Sequence, residues 1–126
     1  MSISATFEGT RRYVQRFVDC GAEGHFREAQ DLVVSSIGMG TYLGEPDARA
    51  DRGYSEAVVA AVRGGVNVID SAINYRFQRS ERSIGAALQQ LAAEGYSREE
   101  LVICTKGGYL TPDGEMPADP RAYFAR

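Results

Sequence analysis

The sequence predicts an α/β protein built on a parallel sheet, and three observations lead to this prediction. Apolar and amphipathic segments alternate between residues 32 and 106 in the order strand, helix, strand, helix, strand. The apolar segments are rich in valine and isoleucine without polar alternation, which is typical of strands buried on both faces. With 126 residues, of which 44 % are apolar and 25 % charged, the chain has room for one domain. Two successive crossovers of this kind place the helices outside a parallel sheet.

The first 31 residues are predicted to contain a β-hairpin. Residues 13–17 alternate apolar and polar side chains, and residues 25–29 repeat the alternation after a connection that contains glycine. The first core strand is then predicted to run from Leu32 to Met39, because this segment is dense in apolar side chains.

Two amphipathic helices separate the three predicted core strands. The first has Asp51 as its predicted N-cap and ends at Gly64, where glycine tolerates the conformation that closes a helix. The second has Ser80 as its predicted N-cap and ends at Gly95. After residue 106 the pattern changes to a loop, and the Asp119-Pro120 pair predicts the start of a last helix.

Composition and charge exclude several classes of protein. The net charge of −3 is small and mixed in sign, so we expect neither a nucleic-acid nor a membrane partner. Two cysteines are too few for a disulfide framework, and the first residues lack the pattern of a signal peptide. We therefore expect a cytoplasmic protein, and no residue cluster predicts a metal site.

Three polar side chains are expected at the carboxyl ends of the predicted strands. The second core strand ends at Asp70, the third ends at Lys106, and Tyr75 follows Asp70 in the next connection. Ligands of parallel α/β proteins bind at this edge. An ammonium beside a tyrosine stabilises the phenolate, and a carboxylate holds the ammonium in place. The residues alone leave structural roles open, namely a turn cap, a solvated charge and a packed ring.

Three glycines after the first core strand require a comparison with the dinucleotide-binding fingerprint G-x-G-x-x-G. Gly38, Gly40 and Gly44 are spaced one residue too widely, and a polar loop follows where the fingerprint needs a helix. A tight turn or a close backbone approach is the alternative explanation. A small open-sheet nucleotide-binding protein is therefore a disfavoured hypothesis.

Several motifs in the same order resemble the aldo-keto reductase family over residues 33–106. The segments that carry the resemblance are 36–42, 65–72 with Tyr75, 79–81 with 84–85, and 102–106. The resemblance implies the first three β/α units of a (β/α)8 TIM barrel, preceded by the N-terminal hairpin. Residues 1–126 are then one partial domain with three parts: 1–31, 32–106 and 107–126.

The resemblance also implies roles for the candidate residues. Tyr75 would be the general acid, Lys106 would lower its pKa, and Asp70 would pair with the lysine and contact the nicotinamide ribose. The cofactor would be NADPH, with NADH left open. The substrate would be a small-molecule aldehyde or ketone, reduced to an alcohol. The residues expected along the nicotinamide, besides Asp70, are Gly38, Met39, Gly40, Thr41 and Tyr42.

Some positions depart from the family pattern. Gln78 stands where many members have glycine, and Ser71 stands where threonine is common. The family's catalytic histidine ends its fourth strand, whereas the single histidine here, His25, precedes the first core strand and is expected to be an exposed hairpin side chain. Residues 107–120 match no family motif and are expected near the substrate mouth.

The family's barrel needs roughly 250 residues, so these residues are expected to be an N-terminal fragment with little activity alone. The competing hypothesis is a non-catalytic, truncated barrel relative that binds a partner or itself through open sheet edges. The sequence predicts neither the substrate nor the oligomeric state.

Overall fold

Regular structure in residues 3–125, the part of the chain that this computed structural model describes, consists of short strands and four α-helices. The mixture of helices and small sheets is that of an α/β protein. A 3₁₀ turn, Arg98–Glu100, precedes the last strand. The elements in chain order are α1 (Phe7–Gln15), β1 (Phe26–Ala29), β2 (Leu32–Ser35), β3 (Met39–Gly40), α2 (Ala48–Arg63), β4 (Val68–Asp70), α3 (Arg79–Ala93), β5 (Val102–Cys104) and α4 (Pro120–Phe124).

The segment 13–17 is not a strand, so the prediction for this part of the N-terminal hairpin is wrong. Residues 13–15 lie in α1, whose N-cap Thr6 accepts a hydrogen bond from the amide of Gly9 at 3.0 Å. Residues four apart share a helix face, so the apolar Tyr13 and Phe17 fit a helix as well as a strand. Their rings pack together with centroids 5.1 Å apart.

The hairpin of the structure uses a later pair of segments. β1 pairs with β2 in antiparallel register, Phe26 opposite Ser35 and Ala29 opposite Leu32, across a turn at residues 30–31. The predicted strand 32–39 is thereby divided between the hairpin and β3. Its break follows from Ser35, whose hydroxyl donates to the carbonyl of Ile37 at 2.7 Å and bends the chain.

The central sheet has the order β3-β4-β5, with both pairs parallel. In register, Gly40 lies opposite Asp70, and Asp70 lies opposite Cys104, so the three strands end together. Ile69 of β4 is fully buried against the apolar faces of α2 and α3. The apolar side chains that complete this core are Tyr13, Val58, Val59, Val62, Ile84, Ala87, Leu91 and Leu101.

The starts of α2 and α3 differ from the predictions, whereas their ends follow them. The N-cap of α2 is Asp47, which accepts from the amide of Ala50 at 2.7 Å, and Asp51 lies in the first turn. Ser80 lies inside α3, because its buried hydroxyl donates to the carbonyl of Thr41 instead of capping. The ends predicted at Gly64 and Gly95 are confirmed.

The predicted start of the last helix is also confirmed. Asp119 is its N-cap and accepts from the amide of Ala122 at 3.0 Å, with Pro120 in the first turn. Within residues 3–125, no helix has the length and apolar character needed to cross a bilayer.

Polar side chains are buried and paired at the amino ends of the parallel strands. Asn67 is fully buried; its Oδ1 accepts from the amide of Ser35 at 2.9 Å and its Nδ2 donates to the carbonyl of Val33 at 2.9 Å. The carboxylate of Glu100 accepts from Arg16 at 2.8 and 3.2 Å. These contacts fasten α1 and the hairpin to the sheet.

Candidate active site

The structure brings Asp70 and Lys106 together where the parallel strands end. Asp70 is the last residue of β4, and Lys106 follows β5 by two residues. The Nζ of Lys106 lies 3.0 and 2.9 Å from the two carboxylate oxygens and 2.7 Å from the carbonyl of Ser71. Both side chains are half exposed. The lysine is therefore held in position while remaining accessible.

Tyr75 lies beside this pair, in the turn between β4 and α3. Its ring centroid is 4.9 Å from the Nζ of Lys106 and 5.0 Å from the ring of Tyr42. The hydrogen bond to Asp70 raises the pKa of Lys106; partial burial opposes this effect and Tyr75 adds to it. The lysine is accordingly a cation at neutral pH, next to a phenol whose anion it can stabilise. The general-acid role of Tyr75 stays a prediction.

The glycines before the site have different surroundings. A Cβ on Gly38 would lie 3.2 Å from the carbonyl of Val68, so glycine allows β3 to approach β4 closely. Gly44 has a φ of +109°, which favours glycine for conformational reasons. A Cβ on Gly40 would meet nothing within 4 Å. Of these three positions, Gly40 is the one with free space beside it.

The other residues predicted to line a cofactor divide into buried and exposed ones. Thr41 is fully buried, and its hydroxyl bonds the carbonyl of Asp70 and the hydroxyl of Ser71, each at 3.0 Å. Met39 packs against the core. Tyr42 is 64 % exposed. The side chain of Thr41 thus joins β3 to β4, and Tyr42 is the side chain available to a ligand. Their cofactor roles stay predictions.

The turn after Tyr75 has an unusual backbone. Arg76, Phe77 and Gln78 have φ values of 50°, 55° and 71°, three successive residues in the left-handed region. The guanidinium of Arg76 is buried and donates to the carbonyl of Glu45 at 2.9 and 3.0 Å. Sequence reasoning did not select Arg76. The departure from the resembled pattern at Gln78 falls in this turn, but it does not single out Arg76.

Asp51 joins this turn to the first turn of α2. Its carboxylate accepts from Arg76 at 2.7 Å and from Arg79 at 2.6 and 3.2 Å. Burial alone would raise the pKa of Asp51, but the hydrogen bonds from the two arginines outweigh it and lower the pKa. Asp51 is therefore an electrostatic anchor, not the helix cap that the sequence predicted.

The segment 107–120 docks on the same turn. The amide of Gly114 donates to the carbonyl of Phe77 at 2.9 Å, and the side chain of Gln78 donates to the carbonyl of Pro112 at 3.4 Å. Arg79 donates to the carbonyl of Gly114 at 3.3 Å. This loop therefore supports the backbone that carries Tyr75.

His25 lies at the opposite end of the sheet and takes no part in the site. Its Nε2 is 2.8 Å from the carbonyl of Gly65, and its Nδ1 is 3.0 Å from the hydroxyl of Ser36. The side chain is half-buried, so the predicted exposure is wrong, whereas the carbonyl of His25 accepts from the amide of Ser36 at the open end of the hairpin, as its predicted place there requires. Among residues 3–125, no three His, Cys, Asp or Glu side chains group as metal ligands.

Comparisons with known proteins show which family the chain resembles. The model of the aldo/keto reductase family matches residues 36–124. A 6-dehydroglucose reductase of Novosphingobium aromaticivorans is 33 % identical over 101 residues, 75 % of this chain and 31 % of that protein. An NADH-specific methylglyoxal reductase of Escherichia coli is 35 % identical over 85 residues, 64 % of this chain and 24 % of that protein. The chain thus spans less than a third of these relatives, and the match over most of its own length shows that it belongs to the aldo/keto reductase family.

Proposed function

We propose that this chain supplies the first three β/α units of a barrel that reduces aldehydes or ketones with a reduced nicotinamide cofactor. The observation that carries the proposal is the pairing of Lys106 with Asp70 at 2.9 Å, with the Lys106 Nζ 4.9 Å from the ring centroid of Tyr75. This triad lies at the carboxyl ends of parallel strands, where enzymes of barrel architecture carry their active sites.

The chain's own residues supply the acid half of the reaction. A reduced nicotinamide, when bound, supplies the hydride that the carbonyl carbon receives. Tyr75 donates its phenolic proton to the carbonyl oxygen, which becomes the alcohol. Lys106 stabilises the resulting phenolate by its positive charge, and Asp70 keeps the ammonium beside the ring.

The surface beside the triad suits a flat, partly apolar cofactor ring. Gly40 leaves open space next to the strand end, and the exposed ring of Tyr42 stands against that of Tyr75 at an interplanar angle of 67°. Asp70 has its carboxylate half exposed and so is accessible to a sugar hydroxyl. The cofactor is NADPH or NADH; NADPH is our expectation, although one relative is named as NADH-specific.

Both outer strands of the β3-β4-β5 sheet lack a further strand within residues 3–125. Exposed edges of this kind pair with other strands. We therefore propose that further barrel strands complete the site, and that residues 1–126 alone reduce carbonyls weakly or not at all. The open edges equally favour the second candidate, a non-catalytic module that binds a partner chain or a second copy.

The deciding experiment compares the full-length gene product with its Tyr75→Phe variant. Oxidation of NADPH and of NADH is followed with small aldehydes and dicarbonyls as substrates. We expect the variant to lose about two to four orders of magnitude in kcat, because the ring remains and the proton donor is lost. Cofactor affinity, measured by fluorescence titration, stays unchanged. Carbonyl reduction by the variant at the normal rate contradicts the proposal, and a wild type without any turnover favours the non-catalytic module.

A further inference from the structure

The backbone after Tyr75 is held in a conformation that its residues disfavour. Arg76, Phe77 and Gln78 all have a Cβ, which crowds the backbone in the left-handed region. Three such residues in succession persist only where surrounding contacts enforce them, and strain of this kind concentrates at functional sites.

Besides the loop 107–120, the side chain of Arg76 makes contacts that hold this backbone. The residue is 6 % exposed, and its guanidinium donates to the carbonyls of Glu45 and Asp47 and to the carboxylate of Asp51. All three acceptors belong to the loop before α2 or to the first turn of α2. Arg76 is thus a clamp that joins the turn 76–78 to the segment 45–51.

The clamp is not explained by stability alone. Its Nη1 is buried and has no hydrogen-bond partner within the described part of the chain. A buried, incompletely paired guanidinium is unfavourable, and an apolar side chain of similar volume avoids that cost. The presence of an arginine at position 76 is therefore better explained by the backbone conformation that its planar guanidinium holds through several hydrogen bonds.

The contacts of Arg76 affect the segments that carry both aromatic rings of the candidate site, those of Tyr75 and Tyr42. Arg76 directly follows Tyr75, and the carbonyl of Tyr75 accepts from the amide of Ser80 at 3.4 Å as the turn closes into α3. On the other side, the Arg76 guanidinium lies 5.1 Å from the ring centroid of Tyr54, whose hydroxyl donates to the carbonyl of Leu43, next to Tyr42. The clamp thus fixes the segments that carry Tyr75 and its ring neighbour.

We propose that Arg76 is a positioning residue, which holds the left-handed turn 76–78 against the segment 45–51 and thereby sets the Tyr75 hydroxyl beside Lys106. The inference rests on the proposed function of Tyr75 as proton donor.

The test combines removal of the clamp with relief of the strain in the full-length gene product. Arg76→Met should lower kcat on the order of 10- to 100-fold, because a small misplacement of a catalytic group is that costly. The cofactor affinity should not change. Gln78→Gly should restore kcat to within about threefold of the wild type in the Arg76→Met background, because glycine adopts this backbone without strain. A loss of kcat that Gln78→Gly does not restore overturns the proposal.

Arg79→Met is the matched control. It removes the other arginine from Asp51 and its bond to the carbonyl of Gly114, but it leaves the contacts of Arg76 with Glu45 and Asp47 and the bond from the Gly114 amide to Phe77 intact. We expect a kcat within about threefold of the wild type. An equal loss in both variants overturns the specific role of Arg76. Should Arg76→Met fail to fold, Arg76→Lys takes its place, because lysine keeps the charge but lacks the planar guanidinium. The kcat of Arg76→Lys is then compared with and without Gln78→Gly.

A structural readout separates this inference from the proposed function. Hydrogen exchange at the amides of Arg79 and Ser80, which close the turn, should be faster in Arg76→Met and slow again after Gln78→Gly. Full activity of Arg76→Met together with an inactive Tyr75→Phe overturns the positioning role alone. A fully active Tyr75→Phe overturns both proposals.

Discussion

The two ends of the parallel strands handle polar groups in opposite ways. At the amino end, Asn67 and the carboxylate of Glu100 are buried and fully occupied by hydrogen bonds. At the carboxyl end, Asp70 and Lys106 are half exposed, and a strained turn follows Tyr75. The difference teaches that this small sheet separates its tasks: the amino end holds the fold together, and the carboxyl end keeps the ion pair of Asp70 and Lys106 available for chemistry.

The largest effect expected at the carboxyl end is on turnover. Lys106→Met removes the charge beside Tyr75 and should lower kcat of the full-length gene product by about two to four orders of magnitude. The thermal unfolding midpoint should hardly change, since half-exposed ion pairs contribute little to stability. Steady-state kinetics and calorimetry check this pair of results. A large fall in the unfolding midpoint together with a normal kcat contradicts the assignment of chemistry to the carboxyl end and of stability to the amino end.

The largest effect expected at the amino end is on stability. Asn67→Leu leaves the amide of Ser35 and the carbonyl of Val33 without their buried partner, so we expect a loss of about 2–4 kcal/mol in the free energy of unfolding. Urea denaturation measures it. The matched control is Asn74→Leu at the carboxyl end, where the asparagine is half-buried and a change within about 0.5 kcal/mol is expected. Equal losses contradict the comparison.

Acid should weaken the amino end through Glu100. Burial alone would raise the pKa of Glu100, whose side chain is 2 % exposed, but hydrogen bonds from Arg16 and from the amide of Ser97 outweigh it and lower the pKa. The stabilisation that the Glu100 carboxylate contributes is therefore complete above the ordinary carboxyl pKa of about 4.3. It is lost as the pH falls through the lower pKa of Glu100 in the folded protein.

Unfolding free energies measured from neutral pH down to about pH 3 check this expectation. Glu100→Gln should flatten the dependence on pH, because the variant has no carboxyl to titrate. An unchanged slope in that variant assigns the acid sensitivity to other carboxylates, of which Asp51 is the next candidate.

The smallest expected effect also concerns the amino end. The hydroxyl of Tyr13 donates to the carbonyl of Val62 at 2.6 Å, and burial raises the pKa of this phenol, so it stays protonated. Tyr13→Phe removes one hydrogen bond and keeps the packing, which should cost about 1 kcal/mol in unfolding free energy. Chemical denaturation measures it, and an unchanged kcat is the expected companion result.

The carboxyl end was predictable from the sequence because its residues follow strands with a distinct apolar pattern. Asp70 ends β4 and lies beside Lys106 as expected, since parallel strands align their ends. The division of residues 32–39 was not predictable, because Ser35 bonds both the carbonyl of Ile37 and Asn67, which lies 32 positions later in the chain.

The N-terminal helix escaped prediction for a tertiary reason. Its alternating residues fit a strand locally, and packing of Tyr13 against residues far along the chain decides for the helix. The left-handed turn was equally hidden, because Arg76, Phe77 and Gln78 have no individual preference for it. Local sequence thus predicts which residues reach the site, and long-range contacts decide how they are held.

The docking of α1 has a consequence during synthesis. A Cβ on Gly9 would overlap the backbone of Glu99, and Arg16 binds Glu100 across a separation of 84 positions. At a translation rate of about 5–20 residues per second, α1 waits roughly 4–17 s before its partner residues are synthesised. Nine residues are too few for a stable isolated helix. Helix α1, although made before the other described helices, therefore acquires its fixed place only after residues 99–100 have emerged.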